Sequence, residues 1–181
     1  MLRRFLRTSH LIFLAAVLMV GLGCASEESR IRSRAQHGDA EAQFRLGSMY
    51  WFGKNGVQRD PAEAVRWYRL AADRGSTEAQ VDLGILYLQG QGVPQNYAEA
   101  LRLLHRAAEK GNTQAQIRMG QMYDDGRGVP RDFIKAHMWW NLAGAYGDKH
   151  GWGLRDFVAT KMTPAQVAEA QQLATKWKAA K

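Results

Sequence analysis

The sequence predicts an all-α fold, a solenoid of about three helical hairpins with capping helices. Three observations carry this. Gly38, Gly75, Gly111 and Gly147 recur at intervals of 37, 36 and 36 residues, and a fixed period of that length marks stacked repeats. The extra residue of the first interval falls in a turn: Gly53-Lys54-Asn55-Gly56-Val57 is one longer than Gly90-Gln91-Gly92-Val93 and Gly126-Arg127-Gly128-Val129. Stacked architectures tolerate insertions there. Between the marker glycines, two apolar faces of helical period recur in the same order.

Residues 1–23 precede the repeats. Arg3, Arg4 and Arg7 lead into Leu11–Gly23, an apolar run of 13 residues, too short for a membrane-spanning helix, which needs about 20. A basic start, a short apolar run and small residues read as a secretory signal. Its removal leaves 158 residues and lowers the net charge from +8 to +5. The sole cysteine, Cys24, closes this segment, so the remainder depends on packing rather than disulfides.

Residues 24–37 form an N-terminal segment in which Ile31–His37 reads as the last turns of a truncated second helix. The three repeats follow over 38–147, at about 38–74, 75–110 and 111–146. Asp39, Ser76 and Asn112 are N-cap residues for the first helices. Ala42, Leu46, Met49 and Tyr50 make one face, matched by Ala79, Leu83, Leu86 and Tyr87 and by Ala115, Met119, Met122 and Tyr123. Gly53, Gly90 and Gly126 stop these helices.

The second helices start at Asp60, Asn96 and Asp132. Glu63 and Glu99 stand where a capping box places its acid, and Pro61 suits a first helical turn. Their buried face is Ala64, Trp67 and Ala71, repeated as Ala100, Leu103 and Ala107 and as Ala136, Trp139 and Ala143. Gly47, Gly84 and Gly120 lie mid-helix, at about 1 kcal/mol each relative to alanine. A recurring cost implies close helix approach, with Ala71, Ala107 and Ala143 expected opposite them.

Residues 148–181 read as a C-terminal cap. Asp148–Lys161 is a degraded fourth first helix, weakened by Gly151 and Gly153. Thr163-Pro164-Ala165-Gln166 is a capping box opening a last helix to about Lys178. Trp140, Trp152 and Trp177 are expected to pack there. The lysines toward the end, Lys161, Lys176, Lys178 and Lys181, read as a solvated face.

The pattern A-x-x-x-[LM]-G-x-x-Y-x-x-G-x-G-V, followed by an N-cap and A-x-x-[WL]-x-x-x-A, resembles the Sel1-like repeat, a relative of the tetratricopeptide repeat. The resemblance spans Asp39–Gly147 and extends more weakly to Lys178. It implies a right-handed superhelix of antiparallel helix pairs and an adaptor that holds other proteins. Gly-Leu-Gly-Cys around Cys24 resembles the lipobox of bacterial lipoproteins, with Gly21 departing from the leucine usual there. It implies lipidation of Cys24. Ala25 in place of aspartate points to a periplasmic protein anchored in the outer membrane of the cell envelope.

The residues offer no catalytic constellation. His37, His105, His137 and His150 lack metal-site pairing such as H-E-x-x-H. Asp124-Asp125-Gly126 lacks the ligand spacing of a calcium loop. The glycine turns follow no strand and precede no G-K-[ST], so they are not phosphate loops. Export and mild charge argue against nucleic-acid binding. Paired cysteines, on which the β-lactam-related activity of some cysteine-rich Sel1-like proteins rests, are missing. The expectation is therefore a non-enzymatic protein-binding module with no cofactor and no metal. A cell-wall hydrolase and a purely structural lipoprotein are the alternatives.

In solenoids of this kind the first helices line the concave face. With Leu46 at the buried centre, Phe44, Ser48, Trp51 and Phe52 point roughly opposite at 100° per residue. Their equivalents are Val81, Ile85, Leu88 and Gln89, then Ile117, Gln121, Asp124 and Asp125. Phe44, Val81 and Ile117, apolar in all three repeats, are favoured as core residues. Phe44 is also kept with Ser48, Trp51, Phe52, Ile85, Leu88, Gln89, Gln121, Asp124 and Asp125 as a candidate partner groove, apolar and aromatic in the first two repeats and acidic at its end.

Overall fold

The computed structural model describes residues 27–179, and these form helices and turns with no strand among the described residues. Helix α1 covers residues 27–36. It is followed by α2 (Ala40–Phe52), α3 (Pro61–Asp73), α4 (Thr77–Gln89), α5 (Tyr97–Glu109), α6 (Thr113–Asp125), α7 (Phe133–Ala145), α8 (Lys149–Ala159) and α9 (Pro164–Ala179). They divide into two compact units, one ending at Ala71 and the other starting at Ala72.

Side-chain caps set the helix starts. Asp39, Ser76 and Asn112 accept from the N–H groups of Ala42, Ala79 and Ala115 at 2.9, 3.2 and 2.9 Å, satisfying donors that the first turn leaves free. Gly53, Gly90 and Gly126 end α2, α4 and α6 with φ of 66°, 67° and 72°, a left-handed conformation that side chains with a Cβ resist. In the first repeat the inserted residue is absorbed by Asn55, also left-handed at φ 56°.

Each hairpin is then pinned: Asp60, Asn96 and Asp132 donate their backbone N–H to the carbonyls of Tyr50, Tyr87 and Tyr123 at 2.8, 2.9 and 2.9 Å. This changes the expected capping boxes. With those N–H groups already used, Glu63 and Glu99 turn outward to Arg66 and Arg102. The box at Thr163 does form, because no carbonyl competes: Gln166 Oε1 accepts from Thr163 N–H at 2.8 Å, and Gln166 N–H donates back to the hydroxyl.

In the first unit Ile31, Ala35, Ala42, Leu46, Met49 and Trp67 make the core. In the second, α4–α7 enclose Leu104, Met119, Met122, Trp139 and Leu142, with Ala174 of α9. Trp177 of α9 meets Trp139 at 4.8 Å between ring centroids. A further cluster joins Trp140 and Ala143 to Val158 of α8.

The mid-helix glycines are sites of close approach, but the expected alanines are not what fills them. A Cβ at Gly47 would lie 2.8 Å from the Tyr68 ring, one at Gly84 2.9 Å from Leu104 Cγ, and one at Gly120 inside the Trp140 indole. Tyr68, Leu104 and Trp140 are equivalent positions of α3, α5 and α7. The notch left by each glycine takes a large side chain, and Ala71, Ala107 and Ala143 are buried elsewhere in the packing. Gly151 is likewise no mere weakness: its missing Cβ would lie 2.8 Å from Gly144 N, so it lets α8 close on α7.

A second periodic device is a buried glutamine. Gln43, Gln80 and Gln116, 0–2 % exposed, donate their amides to the carbonyls of Ala35, Ala72 and Ala108 at 3.0, 3.1 and 3.3 Å. Each satisfies an orphan carbonyl at the end of the preceding second helix. This places α1 in the role of a truncated second helix. At the fourth equivalent position Trp152 replaces the glutamine and Gly144 the alanine, and the indole lies against Gly144 where a Cβ would stand.

His137 of α7 is 1 % exposed, at the position held by Val65 and Leu101 in the other repeats. Burial pushes its pKa below the ordinary 6.5, and Arg155 adds to this against a smaller opposing effect of Asp156. Above pH 6.5 the ring is neutral folded or unfolded. Below it, the unfolded chain takes up a proton that the folded chain resists. Stability is therefore expected to fall as pH drops through about 6.5. Denaturant melts from pH 7.5 to 5 should show this, and His137→Leu should flatten the dependence.

Candidate functional site

Two first helices of the second unit, α4 and α6, leave a depression of about 370 Å³ between them. Ile85, Leu88 and Gln89 line it from α4; Arg118, Gln121, Met122 and Asp125 from α6, with Arg127 just beyond. Leu88 and Ile85 lie one turn apart or less on one face, and Met122 completes an apolar floor. Gln89, Gln121 and the charged groups form its polar wall. Arg127 Nε lies 3.1 Å from Asp125 Oδ2, and Arg118 Nη1 donates to Gln121 Oε1 at 3.1 Å.

The structure thus brings Ile85, Leu88, Gln89, Gln121 and Asp125 together. The other expected groove residues have contacts of their own. Phe44 leans on Tyr68, centroids 5.6 Å apart. Ser48 Oγ lies 3.1 Å both from the Phe44 carbonyl and from Tyr68 Oη. Both are turned into the α2–α3 hairpin, because the Gly47 notch draws Tyr68 between them. Trp51 is half-buried under Arg59, whose guanidinium lies 5.6 Å from the ring. Phe52 is 59 % exposed, with Lys54 5.0 Å from its ring. Val81 and Ile117, expected in the core, are buried there.

Asp124 corrects the expected acidic end. Its Oδ1 lies 3.7 Å from Lys161 Nζ and 4.0 Å from Arg131 Nη2. It fastens α6 to the α8–α9 connection instead of facing the depression. Lys161, expected as part of a solvated face, also sits 4.4 Å from the Phe157 ring. The sequence reading missed Arg118 and Arg127. The signal for Arg118 was available: it stands one turn before Gln121 on the same stripe of α6.

Among the described residues, no helix is long and apolar enough to cross a membrane. Cys24 and the segment 1–23 lie outside them.

Helical hairpins repeated at this spacing, closed by left-handed glycines and leaving an open depression between first helices, define a helical repeat protein. The chain belongs to the Sel1 repeat family: a sequence model of the Sel1 repeat matches residues 40–76, 77–112 and 113–148, more than half of the chain. Sel1 repeat proteins mediate protein–protein interactions.

The chain is similar to the ERAD-associated E3 ubiquitin-protein ligase component HRD3A of Arabidopsis thaliana, 37 % identical over 59 residues, which is 33 % of this chain and 9 % of that protein. Among solved structures it is similar to a Sel1 repeat protein from Oxalobacter formigenes, with a TM-score of 0.66 and 36 % identity, over 68 % of this chain and 51 % of that one. It is also similar to a protective antigen of uropathogenic Escherichia coli strains displaying an SLR fold, with a TM-score of 0.64 and 26 % identity, over 83 % and 40 % of the two chains. The chain therefore spans a tenth to a half of the length of these proteins.

Proposed function

We propose that this chain is a non-enzymatic adaptor of the cell envelope, exported, lipid-anchored through Cys24 in the outer membrane, and binding a segment of a partner protein between α4 and α6. The depression lined by Ile85, Leu88 and Met122 with a polar wall carries this reading. An apolar floor ringed by polar groups has the make-up of an interface hot spot. The family's typical role as adaptor or scaffold agrees with it. A lipid anchor would raise the concentration of such a surface near membrane partners.

Photo-crosslinking in living cells from position 88 tests the surface, with position 102 as control. Arg102 lies on the exposed side of α5, paired with Glu99. The expected result is one discrete adduct from position 88 and none from 102. Equal or diffuse labelling would remove the depression as the binding surface. Cys24→Ala is expected to move the protein from the membrane to the soluble fraction. Unchanged fractionation would rule out the anchor.

A further inference from the structure

We infer that the partner segment held between α4 and α6 carries a carboxylate side chain two positions from an apolar one, with the carboxylate on Arg118 and the apolar group on Ile85, Leu88 and Met122. This rests on the depression being the binding surface and adds what kind of segment fits it.

The charges lining the depression do not balance locally. Arg127 and Asp125 satisfy each other at 3.1 Å. Arg118 is half-buried beside the apolar floor, and its partner among the described residues is the neutral amide of Gln121. The lining therefore keeps one net positive charge, on Arg118.

The equivalent residues show what this position accepts. In the first repeat it is Arg45, which takes the carboxylate of Glu27 at 3.2 Å. In the second it is Asp82, whose pKa is raised by burial and by Glu78. Among the described residues Asp82 makes no ion pair with Arg118, which donates to Gln121 instead.

A guanidinium bonds a carboxylate about twice as strongly as a neutral acceptor. Beside an apolar floor that pair is less screened than one in open solvent. From Arg118 to Met122, α6 advances roughly 6 Å. That is about two residues of extended chain, whose side chains share a face, so a carboxylate and an apolar side chain two positions apart reach both features at once.

Affinity selection from random twelve-residue displayed peptides against the full chain tests this. Selected peptides are expected to be enriched in Asp or Glu two positions from Leu, Ile or Phe. Selection against Arg118→Glu should shift that enrichment to Lys or Arg, while Arg118→Lys keeps the acidic preference. A selected acidic peptide should bind Arg118→Gln about tenfold more weakly. Thermal melts confirm that each variant folds, and the lysine variant guards against a structural loss at this position. Peptides that lose binding on Leu88→Asp but keep the same composition against Arg118→Glu would overturn the acidic segment and leave the surface standing. Peptides indifferent to Leu88→Asp, or a library yielding no enrichment, would overturn both.

Discussion

Gly120→Ala is expected to destabilise the protein by about 2–3 kcal/mol, whereas the same change at Gly153 stabilises it by about 1 kcal/mol. Both glycines are inside helices, so both changes gain the same helix propensity. They differ in what the new methyl meets. At Gly120 it would stand 2.7 Å from Cδ1 and Cε2 of Trp140, and closer still to Nε1. That indole is 1 % exposed and donates to the Ile117 carbonyl at 3.1 Å, so it cannot yield without losing a buried hydrogen bond. At Gly153 nothing lies within 4 Å.

Gly84→Ala falls between them, because Leu104 can change rotamer where an indole cannot. Midpoints of denaturant unfolding for the three variants measure the series. Equal effects at 120 and 153 would show that the fit of Trp140 into α6 contributes nothing.

Gln80→Glu is expected to cost roughly 3 kcal/mol at pH 7 and little near pH 4. The substitution replaces a buried donor by an acid facing the Ala72 carbonyl, now 3.1 Å from the amide. Burial without a donor raises the folded pKa of the new acid above the ordinary value of about 4.3. Below that value the group is protonated in both states and can still donate. As pH rises above it, the unfolded chain ionises first and stability is lost, until pH passes the folded pKa. Gln80→Leu removes the same hydrogen bond without an ionisable group and is expected to cost about 1–2 kcal/mol at every pH. Stability curves of the two variants between pH 4 and 8 separate these outcomes. A pH-independent glutamate variant would mean that this position is hydrated rather than dry.

These two expectations concern features of different legibility. Gly120 stands out in the sequence because glycine recurs mid-helix at a fixed interval, so close approach could be inferred without coordinates. The occupant of the notch could not. Ala143 and Trp140 are both on α7, and helical spacing alone does not say which of them turns toward α6. Gln80 recurs as faithfully as Gly84, yet a glutamine in a helix ordinarily reads as surface. Its burial follows from the carbonyl of Ala72, whose position is known once α3 and α4 are placed.

The candidate site divides along the same line. Leu88, Ile85 and Gln121 could be assigned to one side of their helices from angular spacing, because rotation per residue is a local property. Asp124, at the same helical position as Leu88, left the surface because Lys161, 37 residues away, supplies a counter-charge. Ser48 left it because Tyr68 enters the Gly47 notch.

Helix order, period, caps and stops are written in the chain because a backbone N–H or C=O is satisfied by residues a few positions away. Which large side chain fills a notch, which carboxylate is neutralised and which arginine stays without an ionic partner depend on groups far apart in sequence. Packing and charge pairing act through space, and so Arg118 acquired its meaning only when α4 and α6 were set side by side.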